Sequence, residues 1–207
     1  EIQVLDLKAQ DYRKSAGEVA EEVDAILKMK NPAEKFAALR ASAQPQAQFL
    51  WAIFRDIFHY AAVQLENVAD NARDLDLAMR WGFGWSQGPF ETWQAAGWSD
   101  IAQAIAADIA AGKAMSATPL PAWVLDSGRT GVHTGQGSYS ASKNAYVARS
   151  ALPVYQRQLF PERVLGESGV TPEKSGETLY ENDGVRLWRL PAVDRKIGII
   201  SVKSKMH

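Results

Sequence analysis

Three histidines, a pair of aspartates and a set of loop cations are the side chains of this sequence whose types could do acid–base, metal or phosphate chemistry. His59, His133 and His207 stand far apart, without the short ligand spacing of a metal site. His59 falls inside a strongly apolar segment with no carboxylate or serine placed by sequence to work with it. A buried, hydrogen-bonded imidazole is therefore expected there rather than a general base. Asp74 and Asp76 could be a carboxylate pair, but two residues apart at a helix start they point differently and serve capping better. Arg129, Lys143 and Arg149 surround a loop rich in Gly, Ser and Thr and could meet a phosphate; solvated loop charge is the expected reading. Gly82-Phe83-Gly84 follows a helical pattern, not a strand, and lacks the third glycine of a dinucleotide loop. No catalytic, cofactor-binding or metal-ligating residue is assigned.

The composition closes further classes. Cysteine is absent, which excludes disulfides, thiolate metal sites and thiol nucleophiles. A net charge of −1 gives no electrostatic reason to expect a nucleic-acid or anionic-membrane partner. No apolar run approaches the roughly 20 residues that cross a bilayer, and no secretory signal is visible, so a cytoplasmic location is expected. The chain begins at Glu1 rather than Met, and a piece of a longer protein is expected. Seven Trp require a large core or interface to cover them.

The elements that must position these residues follow from periodicity. Ile2 to Leu7 alternates and predicts a strand or extended arm. Ser15 is expected to open a helix through Val19, Val23, Ile26 and Leu27. Asn31 caps and Pro32 starts the next, with Phe36 and Leu39 facing inward. A long helix over Ala47 to Val68 carries an apolar stripe (Phe49, Ile53, Phe58 and Leu65 among it) that leaves Arg55 and Asp56 to one side. Asp74 caps a further helix, with Asp76 favoured by its dipole, and Gly82 to Gly84 end it. Pro89 begins a helix that Gly97 stops, and Ser99-Asp100 caps another reaching Gly112.

Beyond Thr118 come a short apolar element at Trp123 to Leu125, then loop over Ser127 to Asn144. Val147 to Gly169 gives no choice of structure. Asn182-Asp183-Gly184 predicts a hairpin turn between Thr178–Glu181 and Val185–Leu190. Ile197 to Val202 reads as a third strand, apolar on both faces and so expected inside a sheet covered on both sides. Trp81, Trp85, Trp93 and Trp98 could line an apolar ligand pocket or seal an interface between helices or domains; the interface is expected.

Residues 74 to 90 read Asp-Leu-Asp-Leu-Ala-Met-Arg-Trp-Gly-Phe-Gly-Trp-Ser-Gln-Gly-Pro-Phe. This resembles the carboxy-terminal domain of the 3-hydroxyacyl-CoA dehydrogenases, in an Asp-x-Asp helix start, a Gly-x-Gly turn and a Gly-Pro-Phe helix start. The matching positions include Asp74, Asp76, Gly82, Gly84, Gly88, Pro89 and Phe90, for which a helix-packing role is expected because glycine permits tight turns and close approach. The resemblance implies a mainly α fold, a helical bundle of the 6-phosphogluconate/3-hydroxyacyl-CoA dehydrogenase C-terminal type. A loop-rich linker and a short β-hairpin and strand tail follow it. The family's His–Glu pair and NAD-binding loop belong to an amino-terminal domain outside this chain. Its helical-domain Asn, in an Asn-Arg pair, falls by ungapped count on Trp51-Ala52, and its Asp after Gly-Pro-Phe falls on Gln94. Trp cannot replace an amide that bonds a substrate.

The resemblance therefore implies the second, degenerate copy of the domain in a bacterial multifunctional β-oxidation enzyme. The tail, from Gly184 to Trp188 and from Ile197 onward, resembles the opening strands of the crotonase (enoyl-CoA hydratase) fold. The expected divisions are an arm and connecting helices over 1–44, the helical domain over 45–126, the linker over 127–175 and truncated crotonase-like strands over 176–207. The implied role is a substrate-site-supporting segment, inactive alone, of an NAD-dependent 3-hydroxyacyl-CoA dehydrogenase. Its implied partners are the NAD-binding and first helical domains of the parent chain, the downstream hydratase domain and a second copy in a homodimer. The rival expectation is a dimerisation or acyl-CoA-binding helical module without catalysis.

Overall fold

The computed structural model describes residues 2–15, 17–149, 176–191 and 194–203. Two compact units divide the chain, Glu1–Val132 with Tyr139–Ala145, and His133–Ser138 with Tyr146–His207. Most of the segment from Val147 to Gly169, for which the sequence offered no structure, lies outside the described residues, as does His207.

The first unit opens with an antiparallel hairpin of β1 (Gln3–Asp6) and β2 (Asp11–Lys14). The arm expected at Ile2 to Leu7 is thus a strand, and its partner occupies the residues just before Ser15. The first helix consequently begins later, as α1 (Glu21–Leu27). In α2 (Pro32–Ala41), Asn31 accepts from the Ala33 and Glu34 amides and Pro32 stands in the first turn, as the sequence predicts. The long helix α3 (Pro45–Val68) buries Phe58, Ala61 and Leu65, whereas Phe49 is 65% exposed and Ile53 40%. Its covered face is thus rotated from the expected stripe and takes in Trp51, Arg55 and His59.

Helix α4 (Ala72–Phe83) and helix α5 (Pro89–Ala110) form the turn that carries the glycine motif. The cap of α4 is Asn71, whose side chain accepts from the Arg73 and Asp74 amides. Asp74 sits a turn inside and takes a hydrogen bond from Asn71 Nδ2 at 2.7 Å, which corrects its expected place as the cap. Asp76 is corrected more deeply. It is buried, and its Oδ1 and Oδ2 accept from the Phe90 and Glu91 amides at 2.9 and 3.0 Å. The dipole it satisfies is that of α5, not that of its own helix. Glu91 folds back to accept from the Gly88 amide at 2.7 Å and from Arg80 at 3.2 Å.

The glycines divide by role. Gly84 ends α4 at φ 70°, in the left-handed region. Gly88 approaches Asp76 so closely that a Cβ would lie 2.3 Å from its carboxylate oxygen. Gly82 has open space around it and an ordinary helical φ, so the packing role expected of it is not required. Gly97, at φ 101° and ψ 95°, is non-helical and breaks α5 into two helical segments across a kink, the break the sequence predicts there.

One core joins these helices. Val23, Ile26, Phe36 and Leu39 of α1 and α2 lie in the same cluster as Phe58, Phe90, Trp93, Trp98 and Ile105. Trp93 stacks on Trp98 at 4.3 Å between ring centroids, and Phe58 stacks on Trp93 at 5.5 Å. The four clustered tryptophans therefore separate: Trp93 and Trp98 are core, while Trp81 is 77% exposed. A 3-10 turn at Ala122–Leu125 follows, and Trp98 Nε1 donates to Val124 O at 3.1 Å.

The stretch expected as loop contains two short strands, β3 (His133–Thr134) and β4 (Gly137–Ser140), and β5 (Ala145–Val147) follows it. In the second unit His133 and Thr134 pair antiparallel with Ser138 and Gly137. That unit also holds a three-stranded antiparallel sheet of β6 (Glu177–Glu181), β7 (Val185–Arg189) and β8 (Ile199–Val202). Asn182 Oδ1 accepts from the Gly184 and Val185 amides at 2.9 and 2.8 Å and fixes the expected hairpin turn. Two bonds from Arg189 hold the exposed Glu177 carboxyl below its usual pKa, and Lys203 does the same for Glu181. Trp188 is buried, but β8 is an edge strand with Ile200 67% and Val202 71% exposed. The layers expected to cover this strand on both sides are not among the described residues.

Replacing Asp76 by Ala removes both acceptors of the α5 amides. It is expected to cost about 2–3 kcal/mol, read as a lower denaturant midpoint at unchanged slope. Asp76→Asn, which keeps one oxygen acceptor, should lose less.

Candidate functional site

Trp51 and Arg55 stand one turn apart on α3 and so share a face. Opposite them, near the end of α5, is Asp108. Its Oδ2 accepts from Trp51 Nε1 at 2.9 Å and from Arg55 at 3.2 Å. Arg55 also forks onto both oxygens of the adjacent Asp56 at 3.0 Å. Burial works against the guanidinium charge, but the hydrogen bonds and attraction of Asp56 and Asp108 outweigh it and raise the Arg55 pKa. The cluster thus locks α3 to the last turns of α5, with one guanidinium shared between two carboxylates.

A cavity of about 390 Å³ opens beside this cluster, walled by Trp51, Ala52, Arg55 and Asp108. Its rim carries Arg40, which lies over the Trp51 ring at 5.6 Å, and Lys113. Neither rim cation has an ion pair among the described residues. The cavity can therefore take a small anionic group, but its walls offer little apolar surface for a long chain.

The remaining candidates fall elsewhere. His59 is buried and its Nε2 meets Thr118 O at 2.7 Å, the hydrogen-bonded structural role expected of it. His133 is buried in the second unit with Nδ1 2.9 Å from Ser138 Oγ. No metal-binding group of three His, Cys, Asp or Glu exists among the described residues. Arg129 is not solvated loop charge: it is buried, donates to Trp123 O at 2.7 Å and lies 3.9 Å over the Tyr139 ring. Lys143 is exposed. Gln94, on α5, accepts from the Val132 amide at 2.9 Å, and Gly131 packs against it too closely for a Cβ.

The Gly82–Gly84 turn does not fit a dinucleotide. It joins two helices, and the α5 amides beyond it are already filled by the Asp76 carboxylate where a phosphate would bind. Sequence reasoning missed Arg55, Asp108, Arg40 and Lys113. The one available signal was an Arg four residues after a Trp inside an apolar helix.

Residues 51–141 match the 3-hydroxyacyl-CoA dehydrogenase C-terminal domain. The matched stretch begins at Trp51 and takes in most of α3, all of α4 and α5, and the short elements as far as Ala141. The chain is also 26% identical over 221 aligned residues to a protein of Bacillus subtilis (strain 168) named "Probable 3-hydroxyacyl-CoA dehydrogenase". That alignment covers 92% of this chain but 26% of the relative, so the chain spans about a quarter of the relative's length. No solved structure matches significantly. Both matches relate the chain to these oxidoreductases. The helical character of the matched domain agrees with the five helices described. No described helix is long and apolar enough to cross a membrane.

Trp51→Phe keeps an aromatic ring but loses the N–H to Asp108 and part of the buried indole, and should destabilise by about 1–2 kcal/mol. Asp108→Ala strands both Trp51 and Arg55 and should cost more, about 2–3 kcal/mol. Equal thermal shifts for the two variants would contradict a shared acceptor.

Proposed function

We propose that this chain is the second, non-catalytic copy of the helical domain in a longer 3-hydroxyacyl-CoA dehydrogenase of fatty-acid β-oxidation. The parent oxidises 3-hydroxyacyl-CoA by hydride transfer to NAD⁺, and this segment supports the outer wall of the acyl-CoA site. The reading rests above all on Trp51. At the position that the family resemblance gives to a substrate-bonding Asn stands an indole whose only donor is committed to Asp108. The neighbouring Arg55 is likewise committed to Asp56 and Asp108.

The distribution of charge supports the same reading. Acyl-CoA needs an apolar channel for its chain beside cations for its phosphates. In the helical unit the cation-rimmed cavity is small and polar, whereas the large apolar groove beneath α4 is rimmed by carboxylates. Neither cavity offers both requirements. In this reading the first helical domain and NAD-binding domain of the parent supply the chemistry. The strands β6 to β8 lead toward a fused enoyl-CoA hydratase domain, in the cytoplasm.

The 207-residue chain, supplied with a 3-hydroxyacyl-CoA and NAD⁺, is expected to form no NADH. Calorimetry with a long-chain acyl-CoA is expected to give no saturable heat. Turnover above the uncatalysed rate would overturn the proposal, and tight acyl-CoA binding without turnover would favour an acyl-CoA-binding module instead.

A further inference from the structure

A groove of about 1120 Å³ runs between the carboxy-terminal half of α3 and helix α4. Ile57, Ala61, Val68, Leu75, Ala78 and Met79 form its apolar surface. Side chains on its border remain open to solvent: Tyr60 is 64% exposed, Val68 62% and Met115 80%. Apolar surface of this kind, continuous with a groove, marks a place where something docks.

The charges on the border state what kind of partner fits. Asp56, Glu66, Asp70 and Asp74 line the groove, and among the described residues neither Lys nor Arg lines it. Asp56 is neutralised by Arg55 and bound by the Met115 amide. Asp74 is held by the neutral amide of Asn71, which leaves its charge uncompensated. The exposed Glu66 and Asp70 side chains have no hydrogen bond or ion pair among the described residues. An apolar floor with an uncompensated acidic border repels an acyl-CoA, whose phosphates would sit beside the carboxylates, and favours apolar groups flanked by cations.

We propose that this groove is a docking site for a basic amphipathic helix from another polypeptide segment, with apolar side chains in the groove and Lys or Arg over Glu66 and Asp70. A helix-in-groove contact suits the dimensions: a helix is roughly 10 Å across with its side chains, and a segment of about 14 residues is about 20 Å long. Anchors at helical spacing would meet Leu75, Met79 and Ile57, while the opposite face stays in water. The inference is independent of the dehydrogenase reading, since it would hold equally if the chain proved catalytic.

The test uses the full chain and a fluorescently labelled synthetic peptide of about 14 residues, Leu at helical spacing and Lys elsewhere, read by anisotropy. A second peptide carries Glu for every Lys, and lauroyl-CoA is the non-peptide competitor. The basic peptide is expected to bind in the micromolar range and to weaken about tenfold or more between low and high salt. The acidic peptide and lauroyl-CoA are expected neither to bind nor to displace it. Glu66→Lys with Asp70→Lys alters two exposed side chains without structural bonds, so the fold should be kept, as circular dichroism would verify. In that variant the affinity is expected to fall at least about tenfold. Met79→Glu, on the groove floor, should weaken binding at every salt concentration. Absence of binding by the basic peptide overturns the proposal. So does an unchanged affinity in the double variant, equal binding by the acidic peptide, or displacement by lauroyl-CoA.

Discussion

The Asp76 carboxylate is the contact on which the helical unit turns. It is a charge almost wholly removed from water, and an unpaired carboxylate there would be prohibitive. What makes it tolerable is the start of α5, whose Phe90 and Glu91 amides point at its two oxygens with the positive end of the helix behind them. The arrangement works only if the backbone at residue 88 comes close, and Gly88 supplies that because any Cβ would meet Asp76. Glu91 then closes the same turn by reaching back to the Gly88 amide. The direction of α5 follows from this one junction. Once it is set, Phe90, Trp93 and Trp98 enter the core against Phe58, and Asp108 arrives about five turns after the junction beside Trp51 and Arg55.

The same economy of internal partners explains why the residues that could do chemistry do not stand ready for it. The helix amides that could hold an anion hold Asp76. The guanidinium of Arg55 is divided between two carboxylates, and the Arg129 guanidinium covers Tyr139 and bonds the Trp123 carbonyl. Gln94, at the position where the resembling family carries an Asp, secures the Val132 amide and thereby the loop that packs on α5. Each polar group is consumed by joining two parts of the scaffold. Trp51 donating to Asp108 is one such strut between α3 and α5.

What was legible in the sequence was local. Asn31 before Pro32, the Asn182 turn with its glycine, and Gly84 after an amphipathic run are signals whose physical partners lie within a few residues, and each stands where expected. The motif from Asp74 to Phe90 was readable as a close helix junction. Its inner working was not, because the partner of Asp76 lies on the next helix, 14 residues on. Arg55 was set off the apolar face by type alone, and its burial depends on Asp108, 53 residues away. The strands β3 and β4 hide in a Gly- and Ser-rich stretch whose composition reads as loop. The apolar run of β8 was readable as a strand, and among the described residues β7 alone pairs with it.

A net charge near zero conceals how unevenly charge is laid over the helical unit. At one end of α3, around Trp51, the uncompensated charges are the cations Arg40 and Lys113 above a small polar cavity. At the other end, beyond Tyr60, they are the anions Glu66 and Asp70 above a large apolar one. Apolar volume and cationic charge are thus separated along a single helix of 24 residues, which spans about 36 Å at the helical rise. Over that distance screening at physiological salt leaves each field local. A phosphate-bearing substrate drawn to the first end gains nothing from the groove at the second. The two ends are suited to different partners, and the composition that excluded a nucleic-acid surface for the whole chain does not describe either of them.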